Sequence, residues 1–179
     1  FKKILIIVLF ISTGLNAQQE DSSIVGLSLG YVQNGIGISV DYDYYTKRNQ
    51  YVNGNIMFSF ANDEVTDLKI EVPYTSFYLN AGYFFEVYNI DRGLFTFNVG
   101  GGLSFGYQIL NNGDKELSSG ALITSNSKFV YGAYLGVETK IYFSDNFTGK
   151  VFYKQLYHAN SDIGKLSPYA GIGVLYTLF

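Results

Sequence analysis

The chain has 179 residues, no cysteine and a net charge of −3 at pH 7. This balance argues against direct nucleic-acid binding, and no basic cluster is larger than Lys47-Arg48. Aromatic residues make up 18% of the chain, with 20 glycines and only 2 prolines, a composition that favours strands over helices. The mean hydropathy of +0.10 excludes a bundle of membrane helices, but it suits alternating strands, whose two faces cancel in the average.

The N-terminal segment predicts a secretory signal peptide. Lys2 and Lys3 precede an apolar run at residues 4–11, and Ala17 supplies a small residue for cleavage. An N-terminal membrane helix is the alternative, but the apolar run is too short for one. We therefore divide the chain into a signal peptide at residues 1–17 and one domain at residues 18–179. Because the exported domain lacks cysteine, no disulfide stabilises it.

Most of the remaining chain alternates between bulky apolar residues and small or polar residues, with the period of two that is typical of strands. The clearest example is residues 94–109, where Phe95, Phe97 and Val99 alternate with Thr96 and Asn98. The predicted strands are residues 24–32, 36–44, 52–60, 76–87, 94–109, 129–143, 147–158 and 170–178. No helical period occurs between them.

The connections between these strands fall into short and long classes. Asn34-Gly35 predicts a two-residue hairpin turn. Short turns are also predicted at residues 47–50, 89–93 and 144–146, and longer polar loops at residues 61–72, 111–127 and 161–167. Short periplasmic turns and longer outer loops are typical of outer-membrane barrels. The loop at 111–127 is the longest, and we expect it to be the main contact surface outside the cell.

The volume of the interior decides which face of the strands points inward. An eight-stranded barrel has an interior just wide enough to be filled by side chains, so we expect only the small and polar set to fit there. The bulky set must then face lipid. A soluble barrel of the lipocalin kind, with the opposite arrangement, is the alternative. The predicted fold is all-β, an eight-stranded antiparallel up-and-down transmembrane β-barrel in the cell outer membrane.

Aromatic residues of the bulky face cluster at both ends of the predicted strands. The periplasmic set is Tyr42, Tyr44, Phe85, Phe95, Phe143, Phe147 and Tyr176. The outer set is Tyr31, Phe58, Phe60, Tyr107, Phe129, Tyr131 and Tyr157. Two aromatic girdles of this kind mark the two interfaces of a membrane.

Charged residues on the small, polar face predict an ionic network in the lumen. Its members are Asp41, Asp43, Glu86, Glu138, Lys140, Lys150 and Lys154. In the hairpin closed by residues 144–146, Phe143 should pair with Phe147, which places Lys140 opposite Lys150. Two facing ammonium groups repel each other, so the acids must lie between them. We expect this network to plug the lumen, so that the barrel conducts no ions.

Residues suited to catalysis are nearly absent. His158 is the only histidine, so a triad or a metal site would centre on it. Outer-membrane lipid A deacylases use a histidine with a nearby serine, and Ser161 lies three residues on, but no acid is suitably placed. Gly100-Gly101-Gly102 lies inside a strand with no helix after it, which argues against a phosphate loop. The sequence therefore predicts no catalytic, cofactor-binding or metal-binding residue and no enzymatic activity.

The C-terminal residues resemble a recognition signal. Tyr176-Thr177-Leu178-Phe179 is similar to the aromatic signature by which the barrel-assembly machinery recognises its clients. In the last predicted strand, the alternate residues expected to face outward end at Leu178, so Phe179 is one residue out of the usual register.

Short motifs between residues 106 and 146 carry a further resemblance. They are Gly106-Tyr107, Asn112-Gly113, Ser119-Gly120-Ala121, Phe129-Val130-Tyr131-Gly132 and Glu138-Thr139. Together they resemble the TraO family of conjugal-transfer proteins, small exported proteins encoded with conjugative transposons of the Bacteroidota. The resemblance implies a non-enzymatic outer-membrane anchor or scaffold of a conjugative transfer apparatus. The resemblance implies other conjugation proteins as partners, in addition to the outer-membrane lipid and the barrel-assembly machinery predicted above. The alternative is a general structural or adhesion barrel of the OmpA or OmpX kind.

Overall fold

The computed structural model describes residues 21–65, 70–90, 94–115, 126–163 and 165–178. Its strands are β1 (Ser23–Val32), β2 (Gly35–Lys47), β3 (Gln50–Val65), β4 (Ile70–Ile90), β5 (Phe95–Leu110), β6 (Lys128–Tyr142), β7 (Phe147–His158) and β8 (Leu166–Leu178). A short 3-10 helix, Asn111–Gly113, follows β5. Each strand is antiparallel to its neighbours, and β1 pairs with β8 to close the barrel. The prediction of a closed up-and-down barrel of eight strands is confirmed.

Some predicted features lie outside the described residues. They are the predicted signal peptide at residues 1–17, Phe179, and residues 116–125 of the long loop after β5. Within the described ranges, the protein has no helix with the length and hydropathy needed to cross a membrane.

The outer wall carries the bulky side chains, as the alternation predicts. Phe97 is 40% exposed, whereas its neighbour Asn98 is 2% exposed and faces the lumen. Every member of the two predicted aromatic girdles is exposed except Phe95, which is half-buried. A bulge between Glu86 and Tyr88 shifts the register of β4, so Tyr88 adds an outward-facing ring that strict alternation misses.

The lumen holds larger side chains than the sequence predicts. The expectation that only small or polar residues fit inside is wrong, because several aromatic rings are buried there. Among them are Tyr51, Tyr78, Phe84, Tyr134, Phe152 and Tyr169. Glycines on facing strands leave the volume for these rings: a Cβ atom on Gly136 would lie 3.2 Å from the ring of Phe84. Large and small side chains therefore interdigitate to fill the lumen.

The predicted loop at residues 61–72 is mostly strand. β3 continues to Val65 and β4 begins at Ile70, and residues 62–65 pair with residues 70–73. Hydrogen bonding to a facing strand satisfies the main chain here in spite of the polar composition. The loop predicted at residues 161–167 is also shorter, because β8 begins at Leu166.

The turn between β1 and β2 is one residue earlier than predicted. Val32 pairs with Gly35, so Gln33 and Asn34 form the turn. Asn34 has a φ of 62°, a left-handed conformation that asparagine tolerates. Gly35 belongs to the strand, where a Cβ atom would collide with the carbonyl oxygen of Phe60. Close approach of β3 is therefore the reason for glycine at this position.

Candidate functional site

A cluster of buried charges lies in the lumen near the end of the barrel that holds the chain termini, which we call the terminal end. Lys140 Nζ lies 2.7 Å from Asp43 Oδ2 and 3.5 Å from Glu138 Oε1. Lys150 Nζ lies 2.8 Å from Asp41 Oδ2. None of these five residues is more than 2% exposed. The charges are thus paired within the protein and removed from solvent.

Strand register explains how two facing lysines are tolerated. Lys140 on β6 is directly opposite Lys150 on β7, as the sequence predicts. Asp41 and Asp43 are two residues apart on β2, so both point into the lumen. Each aspartate takes a different lysine across the barrel. The two ammonium groups therefore have separate counter-ions.

Asparagines on β3 and the third lysine connect the two ion pairs. Asn53 Nδ2 donates to Asp43 Oδ1 at 2.6 Å, and Lys154 Nζ donates to Asn53 Oδ1 at 3.1 Å. Lys154 Nζ also lies 4.0 Å from Asp41 Oδ1. Asn55 Nδ2 donates a hydrogen bond to Asp41 Oδ1 at 2.8 Å. The result is one continuous network from β6 through β2 and β3 to β7.

Two tyrosines complete the surroundings of Lys140. Its Nζ donates to Tyr45 Oη at 3.0 Å and lies 3.7 Å from the ring centroid of Tyr51, a cation–π contact. Tyr51 Oη in turn donates to Glu138 Oε1. We did not predict these tyrosines as members of the network. The sequence alternation could have identified Tyr45, because it lies on the same face of β2 as Asp41 and Asp43.

Glu86 is the one predicted member that the structure does not bring into the network. It is the last regular residue of β4 before the bulge, and its N–H donates to the carbonyl oxygen of Asn49 in the turn between β2 and β3. Its Oε1 accepts from Asn89 Nδ2 at 3.0 Å. Glu86 therefore lies at the rim of the terminal end. The network itself contains three carboxylates, those of Asp41, Asp43 and Glu138, and three lysines, so its formal charge is zero.

His158 lies in the half of the lumen nearer the outer loops, the loop end. Its Nε2 is 3.0 Å from Ser104 Oγ, and its ring stacks on Tyr78 at 4.8 Å between centroids. Ser161 does not contact the imidazole but donates to Gln108 Oε1 at 3.0 Å. No partner of His158 Nδ1 is found among the described residues, so no acid orients the ring. His158 and Ser104 are both fully buried, which leaves a substrate no access.

The loop between β7 and β8 covers the loop end of the lumen. Ile163 is 5% exposed and packs in an apolar cluster with Ala61, Val72, Tyr74 and Leu110. Its carbonyl oxygen accepts from Gln33 Nε2 at 3.3 Å. In the part of the chain that the structure describes, no group of three or more His, Cys, Asp or Glu residues could hold a metal ion. The arrangement is therefore a filled lumen with no catalytic or metal-binding geometry in these residues.

Several solved structures similar to this one are barrels of outer-membrane proteins. The N-terminal β-barrel domain of Pseudomonas aeruginosa OprF has a TM-score of 0.56 at 18% identity, covering 89% of this chain and 98% of that one. Ail, the attachment invasion locus protein of Yersinia pestis, has a TM-score of 0.56 at 16% identity, covering 89% and 100%. A major outer membrane protein from Thermus thermophilus has a TM-score of 0.61 at 10% identity, covering 88% and 99%. At these identities the likeness shows the fold.

The sequence itself matches a family model over nearly its whole length. No curated protein matches the chain. The matched family model, described as conjugative transposon protein TraO, spans residues 14–178 and so includes every strand of the barrel. The resemblance that the motifs between residues 106 and 146 indicated thus extends across the chain, which belongs to the TraO family of conjugative transposon proteins.

Proposed function

We propose that this protein is a non-enzymatic outer-membrane anchor or scaffold of a conjugative transfer apparatus. The family match over residues 14–178 is the observation that carries the conjugation role. The paired charges and buried aromatic rings in the lumen support an anchor over a channel, because these side chains occupy the space that a water-filled path would need.

An outer-membrane location is supported by the wall of the barrel. Its outward side chains include Leu27, Leu135, Ile172 and Val174, each more than 60% exposed. An apolar surface of this extent would not stay dispersed in water, whereas lipid accommodates it. With both termini on the periplasmic side, the connections β2–β3, β4–β5 and β6–β7 lie in the periplasm, and the long loop after β5 lies outside the cell together with the short turn between β1 and β2.

The proposed partners follow from this location. Outer-membrane lipid contacts the wall, the barrel-assembly machinery inserts the chain after removal of residues 1–17, and other conjugation proteins contact the rims. No direct role in nucleic-acid binding is proposed, because the chain is acidic.

Deletion of the gene from a conjugative transposon tests the role. We expect transfer frequency to fall and to return when the wild-type gene is supplied in trans. Detergent sensitivity of the envelope is measured in the same strains. Normal transfer in a detergent-sensitive deletion strain would instead favour the general structural barrel.

A planar-bilayer recording tests the anchor separately from the role in transfer. The refolded wild-type barrel should produce no stable, discrete channels. Its matched comparison is a variant in which Lys154 and Phe84 are replaced by alanine, which opens the centre of the lumen. Discrete channels from the wild-type protein would contradict a plugged lumen.

A further inference from the structure

The β3–β4 hairpin extends beyond its neighbours as a two-stranded ribbon. β2 begins at Gly35, opposite Ala61, and β5 ends at Leu110, opposite Tyr74. β3 and β4 remain paired beyond these points, through residues 62–65 and 70–73. We call these eight residues the rim ribbon. Because no described strand of the barrel continues beside it, the rim ribbon has two edges without a paired strand.

The two edges of the rim ribbon are not equivalent. On the β4 side, Pro73 has no N–H to offer, and the 3-10 helix Asn111–Gly113 packs against β4. On the β3 side, no described strand pairs with the chain beyond Ala61. Natural proteins blunt exposed edges with proline or with a covering segment. The β4 edge has both protections, and the β3 edge has neither among the described residues.

The direction of the main-chain groups on the β3 edge follows from one hydrogen bond. The N–H of Asn62 donates to the carbonyl oxygen of Asn34 at 3.4 Å, so it points away from β4. Main-chain groups alternate in direction along an antiparallel strand. The N–H and C=O of Glu64, two residues on, therefore point to the same side, where β2 no longer continues. The main-chain N–H and C=O of Glu64 are therefore placed to form a pair of hydrogen bonds with an added strand.

A groove lies beside this edge on the outer face of the barrel. It is an open depression with a volume of about 450 Å³. Its lining includes Ile36 from β2, Phe60 from β3, and Pro73 and Thr75 from β4. A strand added along β3 would direct every second side chain toward this face. The groove therefore offers room for a side chain of an added strand.

The charge of the rim ribbon and its surroundings indicates the partner. Residues 61–75 contain four acids, Asp63, Glu64, Asp67 and Glu71, and one basic residue, Lys69. A second copy would bring the same net negative charge to the contact, and like charges across a strand pair are destabilising. We propose that the β3 edge of the rim ribbon accepts an extended, basic segment of a partner protein as an added strand. This docking mode uses main-chain hydrogen bonds for affinity and side-chain pockets for specificity. The inference does not depend on the role in conjugation.

The matched variants are Glu64→Pro and Glu71→Pro. Glu64 and Glu71 are register partners, so each variant removes one negative charge from the rim ribbon and one main-chain donor from one edge. Glu64→Pro blocks the β3 edge, and Glu71→Pro blocks the β4 edge. Neither donor belongs to the β3–β4 ladder, so both variants should keep the heat-modifiable migration of a folded barrel.

The probe is a labelled peptide of about ten alternating lysine and threonine residues, the length of a long strand. Its binding to the full-length barrel in nanodiscs of zwitterionic lipid is followed by fluorescence anisotropy, with empty nanodiscs as the blank. We expect saturable binding to the wild type. Glu64→Pro should weaken binding by about tenfold, the loss expected for one or two main-chain hydrogen bonds. Glu71→Pro should stay within about twofold of the wild type.

Four results would overturn the proposal. The first is an absence of saturable binding to the wild type, and the second is an equal loss of binding in the two proline variants. The third is equal binding of a peptide methylated on every second main-chain nitrogen, because charge alone would then explain the contact. The fourth is a homodimer, detected by light scattering without peptide, that Glu64→Pro dissociates. That result would assign the edge to a second copy of this chain.

Discussion

The two halves of the lumen use polar groups in different ways. At the terminal end, both carboxylate oxygens of Asp41 and of Asp43 have partners, whereas Glu138 Oε2 has none among the described residues. At the loop end the groups are neutral, and Ser59 Oγ, Ser76 Oγ and His158 Nδ1 find no partner among the described residues. Desolvation of a buried charge costs far more than that of a hydroxyl group or an imidazole nitrogen, which is why each aspartate is paired with a lysine. The comparison teaches that equal burial does not imply equal contribution to stability.

Breaking one ion pair of the terminal end should have the largest effect. Lys140→Met leaves Asp43 and Glu138 buried without their shared counter-ion, and Asp43→Leu leaves Lys140 with Glu138 alone. Each should lower the free energy of unfolding by about 3–5 kcal/mol. The double variant should lose less than either single variant, because the numbers of buried carboxylates and ammonium groups in the network are then equal again. Urea titration in lipid vesicles measures all three.

A surface ion pair provides the control for this prediction. Lys128 Nζ lies 2.6 Å from Asp162 Oδ2, but both side chains are partly exposed. Lys128→Met should therefore cost no more than about 1 kcal/mol. If Lys128→Met and Lys140→Met cost the same, burial does not distinguish the two pairs.

A charge placed on the lipid-facing wall tests independently which face of each strand points outward. Phe97→Arg puts a guanidinium group into lipid near the middle of β5 and should cost about 2–4 kcal/mol. Asn98→Ser, on the lumen side of the same strand, should cost much less. Equal losses in urea titrations of the two variants would show that the faces are reversed.

Removing the third carboxylate should have a smaller effect than breaking an ion pair. Glu138 lies 3.5 Å from Lys140 and accepts from Tyr51, but Lys140 keeps Asp43 when Glu138 is changed. Glu138→Gln should cost about 1.5–3 kcal/mol, the range for a hydrogen bond to a charged group. Glu86→Gln at the rim is the control and should stay within about 0.5 kcal/mol of the wild type. A larger loss of unfolding free energy for Glu86→Gln would indicate that Glu86 does belong to the ionic network.

The sequence predicts the features of the fold that depend on local periodicity. Strand number, the opposite faces of Phe97 and Asn98, and the pairing of Lys140 with Lys150 all follow from a period of two and a short turn. The bulge that turns Tyr88 outward breaks this period and leaves no such signal. The alternation therefore predicts correctly which side chains of β4 face lipid and which face the lumen, except at the bulge.

Contacts across the lumen could not be predicted in the same way. Which aspartate meets Lys140 depends on the stagger of all the strands between β2 and β6, and no pattern within one hairpin contains it. The burial of the Phe84 ring likewise requires Gly136, which lies two strands away in the sheet. Parity identifies candidates for the lumen, whereas their partners depend on closure of the barrel.

The smallest effect is expected at the loop end, where Ser104 and His158 form a neutral pair. Ser104→Ala removes the described partner of His158 Nε2 and should cost about 0.5–1.5 kcal/mol. His158→Phe keeps an aromatic ring against Tyr78 but removes the hydrogen-bond partner of the Ser104 hydroxyl group. A similar cost is therefore expected. The double variant replaces both polar groups and should approach the wild type. Both halves of the lumen should thus show recovery in their double variants, but from losses that differ by a few kcal/mol. A loss for Ser104→Ala as large as that for Lys140→Met would mean that neutral and charged pairs contribute alike, and the distinction between the two halves would fail.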